Sequence, residues 1–382
     1  MELQLDEEQK LILESAQRYV ADYTYDKRRS QVTKGVTFDR ERWQELAELG
    51  WFGIGVSEEA GGYGATTIEN TLIAECLAKG QVLEPYTMCG VFPSRVLSAA
   101  LGHELAQEVL SGLIAGETIV AVAHSEPRSR GDILEIDTVA RAAGSGWRLS
   151  GRKSLVVGGD VADWLIVSAL LEDGEDGHQL GLFLLRSGSE GLAKEGDKLV
   201  DWTSGVDIKL DNCLVPREAL LASGTKAREI LQSAIDETIV VLAAEGVGAI
   251  EGAIDITSKY IKERKQFGVA LSSFQVLQHR MADMAIELVQ TRSAVICGLR
   301  ALATTGGEER SARVSGCKAL VTRSGKWATS QGIQLHGGYG MTEEYQVGQY
   351  FKRLLVIDAL LGRREFHLGR YTRWMTKAIA QE

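Results

Sequence analysis

Apolar residues in the first part of the chain recur at helical spacing. Asp6 is placed to cap a first helix, and a second helix is predicted over 38–49, with Gly50 at its end. A third helix is predicted to begin near Thr67. The apolar face of the first helix consists of Leu11, Ile12, Ala16 and Val20. This part of the chain is therefore predicted to be helical.

The pattern changes between 119 and 216, where short apolar runs are separated by Gly and Asp clusters. The clearest runs lie at 119–123, 164–167 and 181–185. Short apolar runs bounded by turn residues are typical of strands. Asp-Gly pairs at 173–174 and 176–177 predict a turn between the last two runs.

Helical spacing returns from Thr225 onward. Apolar stripes run over 231–252 and 277–295, and further helices are predicted at about 312–333 and 343–361, with a loop at 304–309. No proline follows Pro216. Long helices without a proline break predict an antiparallel bundle.

The three patterns together predict an α+β fold. The predicted domains are a helical domain over 1–118, a β-domain over 119–224 and a helical bundle over 225–382. A chain of 382 residues is long enough for two or three domains.

The net charge of the chain limits the classes of binding partner that we expect. Lys and Arg total 42 against 52 Asp and Glu, which gives a net charge of −10, and no basic run is present. We therefore expect neither nucleic acid nor an anionic membrane as a partner. The acidic start is unlike a signal peptide, and no apolar window is long enough to span a bilayer. These features predict a cytoplasmic protein.

Five scattered cysteines form no C-x-x-C pair and have no His cluster nearby. We expect them to be reduced thiols in the core, with neither a metal site nor a disulfide framework. The five are Cys76, Cys89, Cys213, Cys297 and Cys317.

Three segments combine polar side chains with glycines. They are 124–132, which follows a predicted strand, the helix-end segment 264–268 (RKQFG), and the loop 334–340 (QLHGGYG). Guanidinium, amide and backbone donors in such places can hold a phosphate, and glycines allow a flat or anionic group to approach the backbone. Each segment alone is equally typical of a solvated turn.

The order of these segments resembles the acyl-CoA dehydrogenase family, and the resemblance covers nearly the whole chain. Further matching motifs lie at 51–55, 58–64, 149–153, 215–216, 274–275 and 282–284. The resemblance implies an N-terminal helical domain, a middle β-barrel domain and a C-terminal four-helix bundle.

The resemblance also implies FAD as the cofactor. Ser125 would lie near the flavin ring. The pyrophosphate and adenosine would be held across a subunit interface by Arg264, Gln266, Phe267, Gln275, Gln334 and Gly338. A site divided in this way implies a homo- or hetero-oligomer. The implied reaction removes the α proton of an acyl-CoA with a carboxylate base and transfers the β hydride to flavin. The product is a trans-2-enoyl-CoA, and the electrons pass to an electron-transfer flavoprotein.

The family base is missing from both of its known places. Leu361 occupies the usual position of a Glu before Gly362, and Thr238 occupies the alternative position on the first bundle helix, followed by Ile239. Leu155 and Val157 also replace the usual Trp and Thr beside the flavin. The C-terminal segment resembles the small subunit of pimeloyl-CoA dehydrogenase and related two-component enzymes, in which a homologous partner can bring the Glu.

Glu245 is the internal alternative for the base, because it lies on the same helical stripe as Thr238, about 10 Å along the helix. A carboxyl on an apolar stripe is paired or protonated, so a structural ion pair is the competing interpretation. Asp236 and Glu237 are expected at the surface, and His336 is expected to be packed beside the adenosine loop. Asp358 is expected to pair with Arg353 or Arg363.

Two further functions stay open at this point. A non-catalytic subunit could complete the FAD and acyl-CoA sites of a partner, which the missing base favours. A flavin oxidase or monooxygenase of the same fold would instead react with oxygen, and stoichiometric peroxide formation in air would reveal it.

Overall fold

A computed structural model describes residues 4–100, 102–129, 131–132, 135–172 and 179–380 of the chain. The residues pack as two compact units. The first comprises 1–34, 71–82 and 239–382, and the second comprises 35–70 and 83–238. The predicted three-domain division stays a prediction. Helix gives way to strand between Ile114 and Val120, and strand gives way to helix between Ser223 and Gly224.

Eleven helices lie within the described residues. They are α1 (Glu7–Ala21), α2 (Tyr25–Thr33), α3 (Arg40–Glu48), α4 (Thr67–Lys79), α5 (Phe92–Ala99), α6 (Glu104–Ile114), α7 (Gly224–Glu263), α8 (Gln275–Thr304), α9 (Gly307–His336), α10 (Val347–Ala359) and α11 (Arg364–Ile379).

The predicted N-terminal helices are confirmed, together with their ends. The Asp6 carboxylate accepts a hydrogen bond from the Gln9 amide at 2.8 Å, and the Gln9 side chain accepts one from the Asp6 amide at 3.2 Å. This reciprocal arrangement is a capping box. Gly50 follows α3 with φ of +77°, a conformation that glycine adopts without strain.

Eight strands of the second unit form one sheet with the order β6-β7-β3-β2-β4-β5-β8, and β1 pairs in parallel with β4. The strands are β1 (Val120–Ala123), β2 (Val139–Ala143), β3 (Gly146–Val157), β4 (Trp164–Leu171), β5 (Gln179–Arg186), β6 (Leu192–Lys198), β7 (Ser204–Pro216) and β8 (Leu220–Ser223). The three apolar runs fall in β1, β4 and β5, as predicted. The predicted Asp-Gly turns lie outside the described residues.

The predicted C-terminal helices are present as α7 to α10, of which α8 to α10 lie wholly in the first unit. The interhelical loop is shorter than predicted, because α9 begins at Gly307. Helix α11 was not predicted, and it packs on α9. Close helix packing depends on small residues here. A Cβ atom at Gly252 would lie 2.5 Å from the Tyr350 ring, and one at Gly325 would lie 2.4 Å from Leu354.

The five cysteines are free, and Cys76, Cys89, Cys213 and Cys317 are buried as predicted. Burial raises the pKa of the Cys76 and Cys317 thiols to about 12. Cys297 differs from the prediction, because its position on α8 leaves it exposed. None of the described helices has the length and apolar character that a membrane crossing requires.

Candidate functional site

A two-stranded hairpin carries the first group of predicted cofactor residues. Strands β9 (Lys265–Gln266) and β10 (Val269–Ala270) are joined by Phe267 and Gly268, whose φ angles are +54° and +82°. Two successive positive φ angles are typical of the tight type I′ turn. The turn leaves the Phe267 side chain 91% exposed, and Arg264 and Gln266 are exposed beside it.

Tyr260 joins this hairpin to the second group of predicted residues. The Tyr260 carbonyl accepts from the Arg264 amide at 2.8 Å, and its ring stacks on His336 with centroids 4.3 Å apart. Gln334 and Gly338 flank that histidine and are exposed, and Gln275 begins α8 in the same unit. All six residues predicted to hold pyrophosphate and adenosine thus belong to one unit.

His336 is packed as predicted. Its Nδ1 donates to the Gly332 carbonyl at 2.7 Å, and burial lowers its pKa, so the ring is neutral at pH 7. The buried Nε2 is then an acceptor, and no partner for it lies among the described atoms. Open space surrounds the positions where Gly337 and Gly338 would carry a Cβ atom.

These groups fit the phosphate and adenine ends of a dinucleotide cofactor. The guanidinium of Arg264 and the amide of Gln266 are the donors that phosphate oxygens prefer. The exposed phenyl ring of Phe267 offers an apolar face beside these donors. His336 Nε2, which is buried and has no partner among the described atoms, is available to accept a hydrogen bond.

The segment around Ser125 belongs to the other unit, and a buried ion pair holds it. Lys153 Nζ donates to Glu126 Oε1 at 2.6 Å, to the Ser168 hydroxyl at 3.0 Å and to the His124 carbonyl at 3.3 Å. Both neighbours of Ser125 are therefore tied to one amino group. The Ser125 carbonyl accepts from the Ser154 amide at 2.8 Å, which ties this segment to β3.

Burial sets the protonation of this cluster. Desolvation lowers the pKa of Lys153 to about 8, against the opposing charge of Glu126. Burial is the main reason that the pKa of His124 falls to about 3, and the Lys153 charge acts in the same direction. This imidazole is therefore neutral at pH 7. The Glu126 carboxylate also accepts from the backbone amides of Asp137 and Thr138 at 2.6 and 3.1 Å.

The two substituted positions beside the predicted flavin site keep an ordered backbone. Leu155 has φ of +54°, and its amide donates to Asp207 Oδ1 at 3.2 Å. Val157 is buried, and its carbonyl accepts from the Cys89 thiol. Neither side chain can donate a hydrogen bond.

Neither of the two positions predicted for the base carries a proton acceptor suited to an α proton. Thr238 is fully buried, and its hydroxyl donates to the Ala234 carbonyl at 2.6 Å. Leu361 is also buried, at the end of α10, with φ of +52°. Thus neither side chain offers a carboxylate.

Glu245 lies in an ion pair with Arg353, whose Nε is 3.0 Å from its carboxylate and whose Nη2 also contacts it. This pairing supports the structural interpretation of Glu245. The expectation that Asp358 pairs with an arginine side chain is wrong. Its carboxylate lies 2.7 Å from Lys326 Nζ and accepts a hydrogen bond from the Arg364 backbone amide at 3.0 Å.

The expectation that Asp236 and Glu237 lie at the surface is wrong. Asp236 is fully buried and accepts from the Gln232 side chain at 2.8 Å. Glu237 is partly buried, at 2.8 Å from the Arg95 guanidinium. These partners come from the helix itself or from a distant segment, and the helical stripe alone does not show them.

Two residues that were not predicted from the sequence form hydrogen bonds to the backbone at and beside Leu361. Lys318 and His367 are both fully buried. One feature of the sequence could have identified Lys318, because this lysine lies on the same helical stripe as Val314 and Val321, where an unpaired charge is costly.

No group of three or more His, Cys, Asp or Glu in the described ranges could hold a metal ion.

Comparison with known proteins identifies the family. The N-terminal domain of acyl-CoA dehydrogenases matches residues 6–117, and their C-terminal domain matches residues 228–376. The acyl-CoA dehydrogenase, short-chain specific, of Clostridium acetobutylicum is 26% identical over 96% of this chain and 97% of its own length. The acryloyl-CoA reductase (NADH) of Anaerotignum propionicum is 25% identical over 96% and 94%. A chain of the Tcur3481-Tcur3483 steroid ACAD structure is 28% identical, with a TM-score of 0.86 over 98% of this chain and 99% of that one. The chain therefore belongs to the acyl-CoA dehydrogenase family.

Proposed function

We propose that this chain is an FAD-binding subunit of an acyl-CoA dehydrogenase that forms a trans-2-enoyl-CoA together with a homologous subunit carrying the base. One combination of observations carries the proposal. The residues suited to the cofactor are present, whereas Thr238 and Leu361 occupy both base positions. The electrons would pass to an electron-transfer flavoprotein, as the family resemblance implies.

The chain's own residues would bind and orient the cofactor. Arg264 and Gln266 would hold the pyrophosphate, with Phe267 and Gln275 beside it, and Gln334 and Gly338 would contact the adenosine. When bound, FAD supplies a two-electron acceptor for the β hydride. The exposure of the hairpin supports a cofactor shared with a second subunit.

Ser125 would contact the flavin ring, and Lys153 would fix its position. The bonds from Lys153 to Glu126 and to the His124 carbonyl leave the intervening serine little freedom. A backbone segment that is already fixed loses less conformational entropy on binding than a mobile one.

The missing base also favours a second candidate, a subunit that only completes the cofactor and acyl-CoA sites of its partner. The two candidates differ in which flavin is reduced. In the first, the partner's carboxylate would act on acyl-CoA beside a flavin ring that Ser125 would contact. In the second, a flavin bound by this chain would not accept electrons from acyl-CoA.

Anaerobic reduction of the flavin by acyl-CoA tests the proposal. The isolated chain should bind FAD but bleach very slowly, because general-base assistance contributes about 10²–10⁴-fold. Addition of the homologous subunit should restore bleaching, and replacement of that subunit's Glu should abolish it. Absence of flavin absorbance from the chain and from every complex it forms would overturn the proposal. Peroxide formation in air without an electron acceptor would favour the oxidase.

A further inference from the structure

The turn that ends α10 is strained at a residue other than glycine. Leu361 has φ of +52° and is 7% exposed, and Gly362 follows with φ of +100°. A left-handed conformation costs a residue with a side chain about 1–2 kcal/mol. Such strain persists only where the surroundings determine the backbone.

A buried lysine bonds the backbone on both sides of Leu361. Lys318 Nζ donates to the Gly362 carbonyl at 2.8 Å and to the Leu360 carbonyl. The Lys318 side chain is fully buried on α9, and burial lowers its pKa to about 7. Leaving this amino group without those two acceptors would be costly.

A buried histidine bonds the carbonyl in between. His367 Nε2 lies 2.9 Å from the Leu361 carbonyl, and Nδ1 lies 3.0 Å from the Ser315 hydroxyl. Burial and the Lys318 charge keep the pKa of His367 well below its ordinary value, so the ring is neutral. Because a carbonyl only accepts, Nε2 carries the proton. Three successive carbonyls, at 360, 361 and 362, therefore each meet a side-chain donor.

We infer that Lys318 and His367 are positioning residues that fix the backbone of the turn, so that the turn is held in place although the side chain at position 361 carries no carboxylate. The inference rests on the proposed function. An apolar side chain gains little from a backbone held at the cost of strain and a buried amino group, whereas a base must be held within a fraction of an ångström.

The substitution Leu361→Glu should then give the isolated chain the missing step. The introduced carboxylate would take the α proton, the electron pair of that C–H bond would form the new double bond, and bound FAD would supply the two-electron acceptor for the β hydride. The measurement is anaerobic bleaching by butyryl-, octanoyl- and pimeloyl-CoA. We expect L361E to bleach with at least one of them at least about 100-fold faster than L361Q, which has the same shape without a carboxylate. Equal rates for the two variants with all three would overturn the inference.

Removing the lysine tests its positioning role. In the double variant K318M/L361E we expect bleaching to fall at least about tenfold from L361E, with the Kd for acyl-CoA little changed. The control is K326M/L361E, which removes a lysine two turns along α9 that pairs with Asp358 and does not contact the three carbonyls. Equal losses in both double variants would show that general destabilisation causes the effect, and would overturn the role of Lys318.

Amide hydrogen exchange gives a readout that does not depend on activity or on bound FAD. Exchange over 360–363 should be faster in K318M than in K326M, because only the first substitution removes a donor to the carbonyls of this turn. If K318M fails to fold, H367N provides the same comparison. Unchanged exchange in this segment would contradict the inference. If the chain binds FAD but the L361E variant is inert, only this inference is overturned. If the chain binds no FAD, the proposed function is overturned.

Discussion

At the residue scale, two carboxylates of this protein pair with residues that are distant in the sequence. Glu245, on a stripe of apolar residues, has Arg353 as its partner, 108 positions away in the sequence. Spacing along a helix shows that such a carboxyl needs a partner, but only the packing of α10 against α7 identifies it. The same limit explains Asp358, whose partner Lys326 comes from α9 rather than from the neighbouring arginines.

Replacing Glu245 should destabilise the protein. The variant E245A leaves the largely buried guanidinium of Arg353 without this carboxylate, and loss of one member of a buried pair costs about 3–5 kcal/mol. The variant E245Q keeps an acceptor and should cost less. Urea unfolding measures both. Rapid bleaching in the isolated wild-type chain that disappears in E245Q would instead make Glu245 the base.

Lys318 should give the stability of the protein a defined pH dependence. Burial lowers its pKa from 10.5 to about 7, against the opposing charge of Asp358. Between these values the unfolded chain holds a proton that the folded chain has released, so rising pH favours the folded state. The stability of the wild type relative to K318M should therefore rise from about pH 7 to about pH 10 and stay flat just below pH 7. Neutral His367 does not titrate in this range. A constant difference in urea midpoints would contradict the expectation.

At the scale of elements, the sequence predicted the helices and strands whose patterns are strong. The capping box at Asp6 and the apolar runs of β1, β4 and β5 are local signals, and the structure confirms them. Helix α11 was missed because its residues are largely polar and because the left-handed turn at Leu361 is not visible as a glycine stop. The β9–β10 hairpin was identified only as a motif, since its strands have two residues each.

The hairpin should contribute to cofactor binding mainly through Arg264. A hydrogen bond to a charged group contributes about 1.5–3 kcal/mol, so R264A should weaken FAD retention by roughly 10–100-fold. The exposed neighbour Lys265 provides a matched control, and K265A should have a smaller effect. FAD release during dialysis, followed by absorbance, measures both variants. Equal retention by wild type and R264A would remove Arg264 from the site. The thermal stability of the apoprotein should not change, because Arg264 is exposed.

At the scale of the whole molecule, the surface predicts assembly. Phe267 is almost fully exposed beside a cluster of donors, so its ring is available for contact with another chain or a ligand. We expect at least a dimer, and a dimer of dimers as the complete assembly, homomeric or with a homologous subunit. Light scattering at micromolar concentration measures the mass. A monomer that still retains FAD would contradict a shared site.

The family and the fold could be predicted from the order of short motifs along the chain, because each motif marks a fixed place in a common architecture. That Thr238 and Leu361, at the two positions predicted for the base, carry no carboxylate was also visible in the sequence. The support around position 361 was not, since Lys318 and His367 lie on two other helices. Their approach to three neighbouring carbonyls depends on the packing of α9 and α11, which local pattern does not encode.

The distribution of the cysteines provides a way to follow this protein spectroscopically. Four thiols are buried, and high pKa values keep the Cys76 and Cys317 thiols in the unreactive protonated form at neutral pH. Cys297, exposed on α8, is left as the site for a maleimide dye. The natural sequence therefore permits selective labelling without mutagenesis. Energy transfer between donor- and acceptor-labelled chains can then report subunit exchange in real time.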